Sequence, residues 1–167
     1  MSKRVKELRK ALEEKPLDPQ LLQELALALL KVNDRDGAAE VYGQLAAVHE
    51  RGGFHLKAVA MLKQAQKLRP RAAFALRLAR VHAQLELHGE ALAYLGQLPP
   101  SLESLRLKAS LLPDDRDTHV QLAELLLDAG DEAGAAAAVA RFGVELEQIR
   151  ERRLAALTRS LDFSRPN

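Results

Sequence analysis

The stretch Leu45-Ala46-Ala47-Val48-His49-Glu50-Arg51-Gly52-Gly53-Phe54-His55-Leu56-Lys57-Ala58-Val59-Ala60-Met61-Leu62 reads as two helices separated by a glycine pair. Its frame is a Leu-Ala pair, eleven intervening residues, an alanine, three more residues and a bulky apolar side chain. The same frame recurs at Leu25-Ala26 with Ala38 and Tyr42, at Leu78-Ala79 with Ala91 and Leu95, and at Leu122-Ala123 with Ala135 and Val139. Alanine suits a place where paired antiparallel helices approach closely, and the leucines fill the gaps beside it. A two-helix unit that cannot bury its own apolar face must stack on its neighbours, so the recurrence predicts an extended helical array with a binding surface.

Composition agrees. The chain has 167 residues, enough for one helical domain that removes about 68–70 % of the unfolded surface from water. Leu, Ala, Glu, Arg and Gln favour helix, and the β-branched and aromatic residues of sheets are scarce. There is no cysteine, which excludes disulfides, thiolate nucleophiles and thiolate metal sites and permits a reducing compartment. No apolar run follows the basic start MSKRVKELRK, and Leu25 to Leu30 and Ala133 to Ala140 are far shorter than the roughly 18 residues of a membrane span. These features imply a cytoplasmic protein with neither an export signal nor a bilayer segment.

Turn signals divide the chain into about nine helical segments. Lys3 to Glu14 is a charged helix ended by Pro16, and Asp18-Pro19 provides an N-cap and first-turn proline for a helix through Val32. Asn33 to Gly37 turns the chain into Ala38 to Glu50, Gly52-Gly53 leads to Phe54 to Leu68, and Arg71 to Leu87 pairs with Glu90 to Leu98. Gly89, at the last junction, is the residue expected to take the left-handed helix-ending conformation. After Pro99-Pro100, Ser101 to Leu112 is an inserted helix. It accounts for the spacing of 44 between Leu78 and Leu122 against 33 between Leu45 and Leu78. The final segment, Glu132 to Leu161, is long enough for one helix, which would put Phe142, Leu146, Ile149, Leu157 and Leu161 on one stripe, and the residue pattern leaves open whether it is continuous.

On these residues the chain resembles the tetratricopeptide repeat (TPR) family, best in Leu45-Ala46, His49, Gly53, Ala58, Leu62, Ala65 and Pro70. The resemblance covers about residues 18–148. It departs from the family in having no tryptophan, and in placing His49, His82 and Leu126 where a tyrosine is usual. It implies an all-α, right-handed α-α superhelix of antiparallel helix pairs. Residues 1–17 would form an N-terminal cap. Repeats would fall at about 18–38, 39–71, 72–100 and 115–148, with the extra helix at 101–112 and a capping extension at 149–167. The helix Ala38 to Glu50 would be shared by the first two copies.

Chemistry-bearing constellations are weak. His49 and His82 lie 33 apart, as do His55 and His88, which marks copied structural positions, and no histidine pair has the spacing of a helical zinc site. His49 and His82 are expected to pack between helices with one nitrogen bonded, and His55 and His88 to be wet. Gly52-Gly53 follows a helix and lacks the lysine of a phosphate loop, and no nucleophile elbow is present. The reading is therefore a non-enzyme with no metal and no cofactor. The net charge is +2 despite a pI of 9.0, and Glu145, Glu147 and Glu151 interleave with Arg141, Arg150, Arg152, Arg153 and Arg159. With four Phe, two Tyr and no Trp to stack bases, nucleic-acid binding is disfavoured.

The resemblance also implies that the first helix of each repeat lines a concave groove. By position it selects Glu40, Gly43, Ala47 and Glu50, then Ala73, Leu76, Arg80 and Ala83, with Arg77 beside them, then Val120, Glu124 and Leu127. Gly43 and Ala47 are expected to leave room for a ligand, and Arg77 and Arg80 to meet an acidic segment. Gly43 and Ala47 also stand where the chaperone-tail receptors of the family carry a Lys and an Asn, which disfavours that partner class. The expected function is a scaffold or adaptor binding a partner peptide or helix. The alternatives are a small bacterial secretion chaperone of the TPR type and a self-associating module that forms a homo-oligomer.

Overall fold

The computed structural model describes residues 2–163, and side chains over residues 2–159. Among the described residues there are ten α-helices, one 3-10 turn and no strand: α1 (Lys3–Glu14), α2 (Pro19–Lys31), α3 (Arg35–Arg51), α4 (His55–Leu68), α5 (Ala72–Gln84), α6 (His88–Gly96), α7 (Leu102–Leu111), α8 (Arg116–Asp128), α9 (Glu132–Val139), the turn Ala140–Phe142 and α10 (Leu146–Phe163). The chain divides into two compact units, residues 1–98 and 99–167, at the proline pair.

In the first unit α1 to α6 pack in chain order, and α3 packs against both α2 and α4, so it serves two hairpins as the sequence implied. In the second, α8 packs against α7, α9 and α10. The repeat frame is the core of each. Ala26, Ala46, Ala79 and Ala123 are wholly inaccessible, and so are Ala38, Ala58, Ala91 and Ala135. The leucines that open each frame and the bulky residues that close it are all buried.

A further position recurs that composition alone does not reveal. Eight residues after each frame leucine the backbone turns left-handed: Asn33 (φ 59°), Gly53 (φ 74°), Glu86 (φ 59°) and Gly130 (φ 80°). The next amide then donates back five residues, Asp34 to Leu29, Phe54 to His49, Leu87 to His82 and Asp131 to Leu126, at 2.8–2.9 Å. This double-bonded stop satisfies carbonyls at the helix end and sends the chain back antiparallel. Asp34 and Asp131 then cap the following helix by accepting from the amides of Gly37 and Gly134. Phe54 and Leu87 stand at the same position with no side-chain cap.

The structure corrects one expectation and settles one open point. The left-handed residue between α5 and α6 is Glu86, while Gly89 lies inside α6, because the turn position is fixed by distance from the frame leucine. The last segment is not continuous. It tightens into a 3-10 turn at Ala140–Phe142, Gly143 takes φ 63°, and α10 begins afresh at Leu146. The break re-aims the stripe: Ile149 is buried and Phe142 and Leu146 pack on the second core, whereas Leu157 is 58 % exposed. Leu161 lies outside the described side chains.

Candidate interaction surface

Positions 40, 43, 47 and 50 share the side of α3 opposite Leu45, since residues three and four apart fall on one helix face. At Gly43 that side is covered by α5. A Cβ at Gly43 would come within 2.8 Å of the Phe74 ring, so the glycine is filled by a neighbour and leaves no room there for a ligand. Arg77 fixes the same contact, donating from Nη1 to the Gly43 carbonyl oxygen at 3.0 Å and from Nη2 to Glu50 at 2.6 Å. Arg71 pairs with Glu40 and lies 5.7 Å over the Phe74 ring. Ala47 is half-buried. Glu40, Gly43, Glu50 and Arg77 thus hold α3 to α5.

The equivalent side of α5 carries Ala73 and Arg80, both exposed, with Leu76 and Ala83 half-buried. On α8 it carries Val120, Glu124 and Leu127, all half-buried. Here α10 takes the covering place: Arg153 donates to the Glu124 carbonyl oxygen at 3.2 Å and pairs with Asp128, while Arg150 pairs with Glu132. Leu127 borders an open hollow of about 350 Å³ shared with Leu154 and Leu157.

The histidines occupy structural places. His82 is buried, with Nδ1 2.7 Å from the Leu78 carbonyl oxygen and its ring 5.4 Å from Tyr94. His49 is half-buried and edge-on to Phe54, and burial, followed by the nearby Lys57 charge, holds its imidazole below the ordinary value of 6.5. His88 is exposed, but His55 is half-buried, with Nδ1 enclosed and without a hydrogen-bond partner, so it is less wet than its turn position suggested. His119 approaches the Ala138 carbonyl oxygen through Nδ1 at 2.9 Å and stacks near Phe142. No group of three potential metal ligands converges among the described residues, and no helix among them is long and apolar enough to cross a membrane.

The residue pattern did not single out the outer face of α4. Phe54 is 57 % and Leu56 73 % exposed, and with Leu85 they border a hollow of about 380 Å³. Leu56, Lys57, Ala60, Lys63, Gln64 and Lys67 are all exposed, opposite the buried Ala58, Leu62 and Ala65. The signal available in the sequence was the composition of α4, which has three lysines and no carboxylate.

No protein-family model matches the sequence, and neither does any curated protein. Among solved structures the chain is similar to a thermophilic TPR protein of Thermus thermophilus, at 26 % identity over 92 % of this chain and 89 % of that one, TM-score 0.33. It is similar to BtubC of P. vanneervenii at 17 % identity, 98 % and 90 % coverage and TM-score 0.40. It is also similar to MamA, residue 41 to the end, of Desulfovibrio magneticus RS-1 at 16 % identity, 90 % and 84 % coverage and TM-score 0.30.

Proposed function

We propose that this chain is a non-enzymatic scaffold that holds a peptide or helix of another protein on the surfaces of its stacked hairpins. The observation that carries this reading is the division of labour within the repeat. The same positions are buried in all four hairpins, so the fold is specified by the frame, and the intervening positions are left to carry recognition. Within the first-helix face, α5 offers the candidates Ala73, Leu76, Arg80 and Ala83, with Ala47 beside the α3–α5 seam. Glu40, Gly43, Glu50 and Arg77 act as positioning residues beneath them. In the second unit, Leu127 presents an apolar edge beside α10, with Val120 and Glu124 supporting it. The partner class is a protein segment, and the compartment proposed is the cytoplasm.

A photo-crosslinking amino acid placed singly at Ala73, Ala83 or Lys63 tests the reading in a cell extract. Saturable adducts with a defined protein at one of these positions support it. Absence of adducts at all three, from protein of unchanged helical content, refutes it.

A further inference from the structure

We infer that the outer face of α4 docks an acidic, amphipathic protein segment, anchored by an apolar side chain at the α3–α4 turn. The inference rests on the scaffold reading and moves the working surface to a second helix of the repeat.

Three observations converge. The hollow bordered by Phe54, Leu56 and Leu85 places two large, mostly exposed apolar side chains beside one another, in a corner where two of the other three copies use a capping aspartate. An exposed apolar patch next to a cavity marks an interaction site more specifically than scattered surface leucines. From that corner, Lys57 and then Lys63 and Lys67, about 80–120° round the helix from it, spread over the exposed half of α4 along about 15 Å, given 3.6 residues per turn and 1.5 Å of rise per residue. None of the three forms an ion pair among the described residues, and the aspartate near the far end of the helix, Asp36, is paired with Arg69. Lys57 also sits 5.1 Å over the Phe54 ring, tying the first cation to the anchor.

Charge complementarity therefore chooses the occupant. A segment of about three helical turns, with an apolar residue at one end and carboxylates spaced along one face, would fill the hollow and neutralise the lysines. A nucleic acid fits less well, because among the described residues Phe54 is the only exposed Phe or Tyr, and its face already carries Lys57. A lipid surface fits less well too, because the apolar side chains are confined to one end of the helix.

The test uses the full chain and a fluorescent peptide of about twelve residues carrying one leucine end and repeated glutamates, titrated beside a glutamine-substituted copy, a single-stranded oligonucleotide and anionic vesicles. The expected result is saturable binding of the acidic peptide that weakens with salt. It should fall about tenfold in the variant Lys63→Glu with Lys67→Glu and in Leu56→Ser, and stay within about twofold in the charge-matched control Lys6→Glu with Lys10→Glu. All variants are first matched for helical content. The inference is overturned if the peptide does not bind, if it binds equally well with α4 reversed, or if α4 reversal removes oligonucleotide or vesicle binding while sparing the peptide. Adducts at Ala83 together with α4-insensitive peptide binding would leave the scaffold reading standing and remove this one.

Discussion

The α3–α5 contact and the α8–α10 contact use the same face of the repeat's first helix, each with an arginine that reaches a backbone carbonyl and a carboxylate, and differ in the apolar contact beside it. In the first unit a glycine admits an aromatic ring, and the arginine one turn later reaches both the glycine carbonyl and a carboxylate. In the second unit the covering helix buries Ile149 and spans the seam with Arg153 and Arg150. Only the first seats an aromatic ring on a glycine, and the second buries an isoleucine instead. The repeat therefore specifies where a neighbour must sit and leaves open how it is held. In both seams the apolar contact should be costly to alter and the arginine pair cheap.

The largest effect is expected at Phe74. Phe74→Ala removes a ring that is 5 % exposed and opens a void above Gly43, and should cost about 3–5 kcal/mol in urea unfolding of the whole chain. Next is Gly43→Ala, whose new Cβ would meet the ring edge and should cost about 1–3 kcal/mol. In a Phe74→Ala background the added methyl faces empty space, so the second cost should largely vanish. A double-mutant cycle showing independent costs would mean that Gly43 and Phe74 do not share a seam.

The frame was legible because burial follows from local periodicity: a small residue at 46 and at 58 is a statement about two helices twelve residues apart. The cap at Asp18 was equally local, accepting from the amides of Gln20 and Leu21. What was hidden depended on distant partners. Gly43 reads as a vacancy until Phe74, thirty-one residues on, is placed against it. Glu86 gives no sign of a left-handed turn, since a glutamate takes that conformation only when both flanking helices impose it. The break at Gly143 was masked because apolar spacing continues on both sides of it. The resemblance points to the first helices, and the exposed apolar corner at Phe54 and Leu56 carries no sequence signal because each residue alone is ordinary.

Smaller effects separate the seams further. Gly143→Ala forces a side chain into φ 63° and should cost about 1 kcal/mol, read as faster amide exchange in α10. Arg153→Ala removes a partly exposed ion pair and one carbonyl contact and should cost at most about 1 kcal/mol. A loss as large as that at Phe74 would mean that Arg153, rather than the buried Ile149, holds the α8–α10 seam.

Proton concentration should distinguish the two units with the smallest perturbation. His49 has a folded-state affinity for protons below its unfolded value of 6.5, from burial and then Lys57, so the unfolded chain binds more protons below that value. The first unit should hold its full contribution from His49 above about pH 6.5 and lose it as the pH falls through the lower, folded value. Asp115, which caps α8, is also held below its ordinary value of 3.8, chiefly because its carboxylate accepts from the Thr118 hydroxyl. Its contribution to the second unit should persist above that value and disappear only as the pH falls through its own folded value. Amide exchange followed residue by residue from neutral to strongly acid conditions should therefore show α3 and α4 opening first and α8 later. His49→Gln should flatten only the earlier step and Asp115→Asn only the later one, and a shared transition in both variants would show that the units are coupled more strongly than their separate cores imply.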